Sequence, residues 1–66
     1  MPSSVVAAIN YYTETSTLRI RYVSGAIYDY KDVPKEVYVA MKASASKGTF
    51  LRLEIKDKYA FERIKP

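Results

Sequence analysis

The sequence predicts an α+β domain: an antiparallel three-stranded meander, an amphipathic helix across it, and a short C-terminal helix or strand closing the core. Three observations predict it. Thr17 to Val23 alternates with a period of two, setting Leu18, Ile20 and Tyr22 on one face and Arg19 and Arg21 on the other. That is the pattern of a sheet with one buried and one wet face. Val37, Tyr38, Met41 and Ala45 instead recur at helical spacing, which gives a helix a single apolar stripe. Between these stretches lies Tyr28-Asp29-Tyr30-Lys31-Asp32-Val33-Pro34, where a strand runs into the start of the helix.

Taken in order, Val5 to Tyr12 forms the first strand, with Val5, Ala7, Ile9 and Tyr11 on one face. Thr13-Glu14-Thr15-Ser16 is a polar turn whose hydroxyls can bond to their own backbone. The second strand ends at Ser24-Gly25, and the loop length decides the register of the third. A three-residue loop Val23-Ser24-Gly25, with Gly25 left-handed, pairs Ile20 with Tyr28, Leu18 with Tyr30 and Arg19 with Asp29. A two-residue loop exchanges the faces and puts both tyrosines beside the arginines. The first register is chosen, because it gathers every apolar residue of these two strands except Val23 and Ile27 onto one face.

Pro34 suits the first helical turn, where its missing N–H is no loss, and Glu36 there complements the helix dipole. The helix is expected from Pro34 to about Ala45, stopped by Ser46-Lys47-Gly48 with Gly48 as a left-handed terminator. Thr49 to Tyr59 is open to two readings. Leu51, Leu53 and Ile55 alternate as in a strand, yet Leu51, Ile55 and Tyr59 recur every four residues and Thr49 can cap a helix. The tail either returns as a short strand or packs Phe61 and Ile64 on the core.

Composition bounds the function. The 66 residues are read as one domain, near the lower size at which burial alone stabilises a chain, with 48% hydrophobic residues to do it. There is no cysteine and no histidine, hence no disulfide, no thiolate site, and neither the commonest metal ligand nor the commonest general base. No cofactor is expected. Ser3, Ser4, Ser24, Ser44 and Ser46 are available nucleophiles, but each needs a lysine or carboxylate base. Ser44 and Ser46 are better placed to end a helix. Asp29, Asp32, Glu54 and Asp57 show no spacing that brings two carboxylates together, so catalysis is not expected. No stretch approaches the ~20 apolar residues of a membrane span and no signal peptide is visible, so the expected compartment is the cytoplasm.

A net charge of +4 favours anionic partners, nucleic acid first among them. Arg19, Arg21 and Lys31 supply charge on the wet face of the sheet; Lys47, Arg52, Lys56, Lys58 and Arg63 supply it in the C-terminal third. Asp29, Glu54, Asp57 and Glu62 dilute both fields, and a solvated surface is the competing account of each cluster. Tyr12, on the wet side of the first strand, is the candidate ring for stacking a base, whereas Tyr28 and Tyr30 are read as core. The competing function class is a protein-interaction or dimerisation module, pairing through the weakly charged edge Val5–Ile9.

A family resemblance covers nearly the whole chain. Ser3-Ser4, Ile9-Asn10-Tyr11, Leu18-Arg19-Ile20, Gly25, Tyr28-Asp29-Tyr30, Val33-Pro34, Ser46-Lys47-Gly48, Phe50-Leu51, Ile55 and Tyr59 occur in the order of the KTSC domain. That domain is named for its occurrence at the C-terminus of some lysyl-tRNA synthetases, and it also occurs as stand-alone bacterial and phage proteins. The resemblance implies a non-catalytic accessory module, with RNA, tRNA included, as the expected partner. It implies structural roles for Tyr28, Tyr30, Pro34 and Gly48, and it favours a helix through Leu51 and Ile55. Leu51-Arg52 stands where Phe-Asn is commoner in the family, so no role is assigned through that asparagine. The alternative it leaves is an adaptor, free-standing or phage-associated.

Overall fold

A computed structural model of the chain describes residues 6–64; Ser3, Ser4 and Val5, named above, lie outside them. The elements run β1 (Val6–Tyr12), β2 (Thr17–Tyr22), β3 (Ile27–Tyr30), α1 (Lys35–Ala43), α2 (Lys47–Phe50) with a π-helical continuation (Leu51–Ile55), and β4 (Phe61–Ile64). The sheet has four strands in the order β1-β2-β3-β4, each pair antiparallel, where the sequence predicted three. The fourth comes from the tail, whose four residues are too short to declare a period on their own.

The first hairpin turns through Ser16, at φ 53°, while the Thr15 hydroxyl donates to the Thr17 hydroxyl at 2.8 Å. Beyond it Tyr11 pairs with Leu18 and Ile9 with Ile20. A bulge between Val6 and Ala8 then adds a residue to β1 and reverses the alternation. Val6 is therefore the buried residue and Ala7 faces solvent, the opposite of the expected placement of Ala7.

The second hairpin has the three-residue loop. The Tyr22 N–H donates to the Ala26 carbonyl at 2.8 Å, and the Gly25 N–H to that of Tyr22 at 2.9 Å. Gly25 sits at φ 99° with nothing within 4 Å of the position a Cβ would take, so the backbone angle, and not space, requires glycine there. The register that follows is Leu18 to Tyr30, Arg19 to Asp29 and Ile20 to Tyr28, and Tyr30 is buried.

At the strand–helix junction Val33 is fully buried, and its carbonyl accepts from the Tyr11 hydroxyl at 2.6 Å. Pro34 stands one residue before the helix in extended geometry, φ −61° and ψ 146°, so α1 starts at Lys35 and not at the proline. Met41 is buried from α1, and Tyr38 stacks on Tyr11 with ring centroids 5.3 Å apart. The helix ends at Ala43, short of the expected Ala45, with Ser44 extended.

Gly48 does not end that helix. It is itself helical, inside α2, and the break between the helices is made by the two serines. The Ser44 hydroxyl accepts from the Ser46 N–H at 3.2 Å, and the Ser46 side chain caps α2 by accepting from the Thr49 N–H at 3.4 Å. Thr49 is thus a capped residue and not the cap. The segment after it is helical: the Lys56 N–H reaches the Leu51 carbonyl at 2.8 Å, the five-residue step of a π-helix. Leu51 and Ile55 are buried while Leu53 is 55% exposed, which settles helix over strand.

The core joins Val6, Leu18, Ile20, Tyr30, Val33, Met41, Leu51 and Ile55. Both helices therefore lie on the Leu18–Ile20 face of the sheet. Among the described residues nothing covers the other face.

Candidate nucleic-acid interface

The alternation of β2 and β3 projects Arg19 and Asp29 from the open face, side by side on paired strands. The Arg19 Nε donates to Asp29 Oδ1 at 2.7 Å and Nη2 donates to Oδ2 at 3.0 Å. The centre of the guanidinium lies 5.3 Å from the Tyr12 ring centroid, over its face. Asp29 is only 7% exposed, so its charge depends on this partner. The Arg19 hydrogen bonds hold its carboxyl below the usual range; burial opposes them, and the charges of Arg19 and Lys31 add to the lowering. Asp29 in return, chiefly by hydrogen bonding, keeps Arg19 still more firmly protonated.

Directly across the next ladder, Glu62 faces Asp29, a like-charge pairing. Each acid has its own cation: Arg19 for Asp29, and Lys31 for Glu62 with Nζ 3.4 Å from Oε1. Arg21 is exposed with no carboxylate partner among the described residues. A shallow depression of about 350 Å³ opens beside this network, lined by Tyr12, Thr15, Thr17, Arg19, Asp29 and Lys31. Tyr12 remains 43% exposed above it.

The second cluster is divided. Arg52, Lys56 and Lys58 are exposed on or just after the α2 segment, in the layer behind the sheet, and Lys58 is 3.5 Å from Glu54. Lys47, at the start of α2, is half-buried. Arg63 belongs to β4, opposite Tyr28 and hence on the helix side of the sheet. It does not share the open face with Arg19, Arg21 and Lys31. Tyr28 and Tyr30 belong to an aromatic group with Phe61, at centroid distances of 5.4 and 5.6 Å from its ring. Burial, with a lesser contribution from Tyr22, pushes the Tyr30 hydroxyl well above its ordinary pKa.

The sequence does not single out Thr15 or Thr17 for this site, and it marks Glu62 only as a charge diluting the basic clusters. The threonines lie in and after a turn that reads as solvated, and Glu62 gains its position only once β4 pairs with β3. The described residues contain no group of three or more Asp or Glu side chains placed to hold a metal, and no helix long and apolar enough to cross a membrane.

The arrangement defines a small α+β module: a four-stranded antiparallel sheet backed by helices on one face, with a charged and aromatic opposite face. Comparison places it among known proteins. The KTSC domain model matches residues 2–59, and the chain belongs to that family. It is 36% identical over 61 residues to a lysine–tRNA ligase of Nostoc punctiforme and 31% identical over 61 residues to one of Trichormus variabilis. Each match takes in 92% of this chain and 11% of the ligase, so the chain spans about a tenth of these relatives. The crystal structure of a KTSC domain protein from Yersinia pestis matches with a TM-score of 0.86 at 28% identity, over 98% of this chain and 94% of that one.

Proposed function

We propose that the chain is a non-catalytic RNA-binding module that takes single-stranded RNA on the open face of its sheet. The observation that carries the reading is the Tyr12–Arg19–Lys31 depression. It joins an exposed ring to cations, the two components single-stranded binding needs: stacking for bases and positive charge for phosphates. That the matched segment lies in relatives named for tRNA supports RNA as the class of ligand. Arg21 and Lys31 are the phosphate contacts in this reading. Arg52, Lys56 and Lys58 face away from it and act as solvating charge.

An NMR titration of labelled protein with a short single-stranded RNA, and separately with tRNA, tests this. The expected result is a set of shifts on Tyr12, Arg19, Arg21 and Lys31. Two or three neutralised phosphates should weaken affinity roughly tenfold between about 50 and 200 mM salt. Shifts confined to Arg52, Lys56 and Lys58 would move the interface to the helical layer. No shifts at the lower salt would end the RNA reading.

A second reading is favoured by one feature of the sheet edges. β1 is an edge strand of seven residues without a charge, whereas the opposite edge, β4, carries Glu62 and Arg63. An uncharged edge can accept a strand from another chain. In the same titration this reading gives no response to RNA and a concentration-dependent broadening along β1.

A further inference from the structure

We infer that Arg19 is a base-reading fork, and that the face prefers an unpaired base with two adjacent acceptors, guanine or cytosine over adenine and uracil. This rests on the RNA reading above and names what that site selects. Asp29 engages Arg19 side-on, through Nε and Nη2. That leaves, among the described residues, the two hydrogens of Nη1 and the outer hydrogen of Nη2 with no carboxylate or backbone acceptor, as a pair of parallel donors at the far edge of the guanidinium, the Tyr12 hydroxyl being the one further side-chain partner of the group. The Tyr12 ring against one face fixes the plane of the group. The side chain is 37% exposed, so the donor edge can be reached from the depression.

A planar pair of donors seeks two acceptors about as far apart as its own hydrogens. Guanine presents such a pair at O6 and N7. Adenine sets an N6 donor beside its N7 and uracil an N3–H donor between its two carbonyls, so each meets one arm of the fork with like polarity, whereas an unpaired cytosine, with acceptors at O2 and N3, fits the fork as guanine does. Asp29 has two effects here: it spends the wrong edge of Arg19, and its charge keeps the guanidinium aligned before any ligand arrives. Preorganisation of this kind removes part of the ordering cost of binding. Lys31, at the wall of the depression, supplies charge for the flanking phosphate. A phosphate offers the same two-acceptor chemistry as guanine, so the test has to tell base from backbone.

Three RNA heptamers do so by fluorescence anisotropy at low salt: oligouridine with a central guanosine, the same with adenosine, and the same with 7-deazaguanosine. The phosphates are identical in all three, and only the first has both O6 and N7 as acceptors. The expected result is binding about tenfold tighter for guanosine than for adenosine, with the deaza oligomer falling to the adenosine level. R19K keeps the charge and loses the fork; it should bind all three alike while keeping the salt dependence. Circular dichroism checks that R19K is folded, and the deaza comparison needs no variant at all. Equal binding of guanosine and adenosine, or of guanosine and deazaguanosine, overturns the fork while leaving RNA binding in place. Failure of every oligomer to bind overturns both.

Discussion

Asp29 sits between two cross-strand neighbours of opposite charge, Arg19 on one ladder and Glu62 on the other. Its carboxyl is held below the ordinary 3.8 by hydrogen bonds from Arg19, against the opposing effect of burial. A carboxyl lowered in the folded state stabilises the fold once the pH exceeds its unfolded value, and that contribution is lost as the pH falls through the lower, folded value. Urea midpoints measured from about pH 6 down to about pH 2 should therefore fall for the native chain below about pH 4. Asp29→Asn should be less stable near neutrality and should show a smaller acid fall. Equal acid limbs in the two proteins would contradict this. The pair itself was legible in the sequence, because the loop Val23-Ser24-Gly25 fixes the register and Gly25 supplies the φ the loop needs. The Lys31–Glu62 pair was not legible, since it depends on a strand that the sequence left undecided.

At the level of elements, the segment after Ser46 shows where sequence pattern runs out. Leu51, Leu53 and Ile55 alternate like a strand, and Leu51 and Ile55 are also a helical i, i+4 pair. Both periods share Leu51 and Ile55, so Leu53 alone discriminates, and it is exposed. The helical arrangement predicts unequal substitutions. Ile55→Ala should cost about 2–5 kcal/mol, the range for emptying a core position, whereas Leu53→Ala should stay within about 0.5 kcal/mol. A strand would have made the two costs alike. Chemical denaturation of both variants decides it. Other boundaries moved for local reasons: Gly48 resembles a terminator, but Ser44 and Ser46 already satisfy the backbone at the break. The bulge in β1 was hidden because Val5-Val6-Ala7-Ala8 is apolar throughout and carries no alternation that an inserted residue could visibly interrupt.

For the molecule as a whole, the fourth strand decides what kind of sheet faces solvent. The helices cover one side only, so stability and solubility both depend on how the edges end. β4 closes the β3 edge with its own ladder, and the Lys31 N–H donates to the Ala60 carbonyl at 2.8 Å. Phe61 shields Tyr28 and Tyr30, and Glu62 takes up Lys31. Without it, β3 would present Ile27, Tyr28 and Tyr30 along an unpaired edge, the arrangement that invites pairing between chains. Self-pairing through β4 is discouraged by its charges: a two-fold centred on Glu62 or Arg63 sets Glu62 against its copy or Arg63 against its copy. A chain ended after Ala60 should therefore show two changes at once. The loss of the apolar surface that Ile64 buries, and of the part that Phe61, itself 54% exposed, buries against Tyr28 and Tyr30, should cost about 2 kcal/mol, a fall in Tm of roughly 10 °C at this size. The same protein should also sediment as larger species as its concentration rises. A truncated chain of unchanged Tm that stayed monodisperse would show that β4 is an ornament on a self-sufficient three-stranded sheet, and the closure of the β3 edge would have to be sought in the residues of α2 and its continuation.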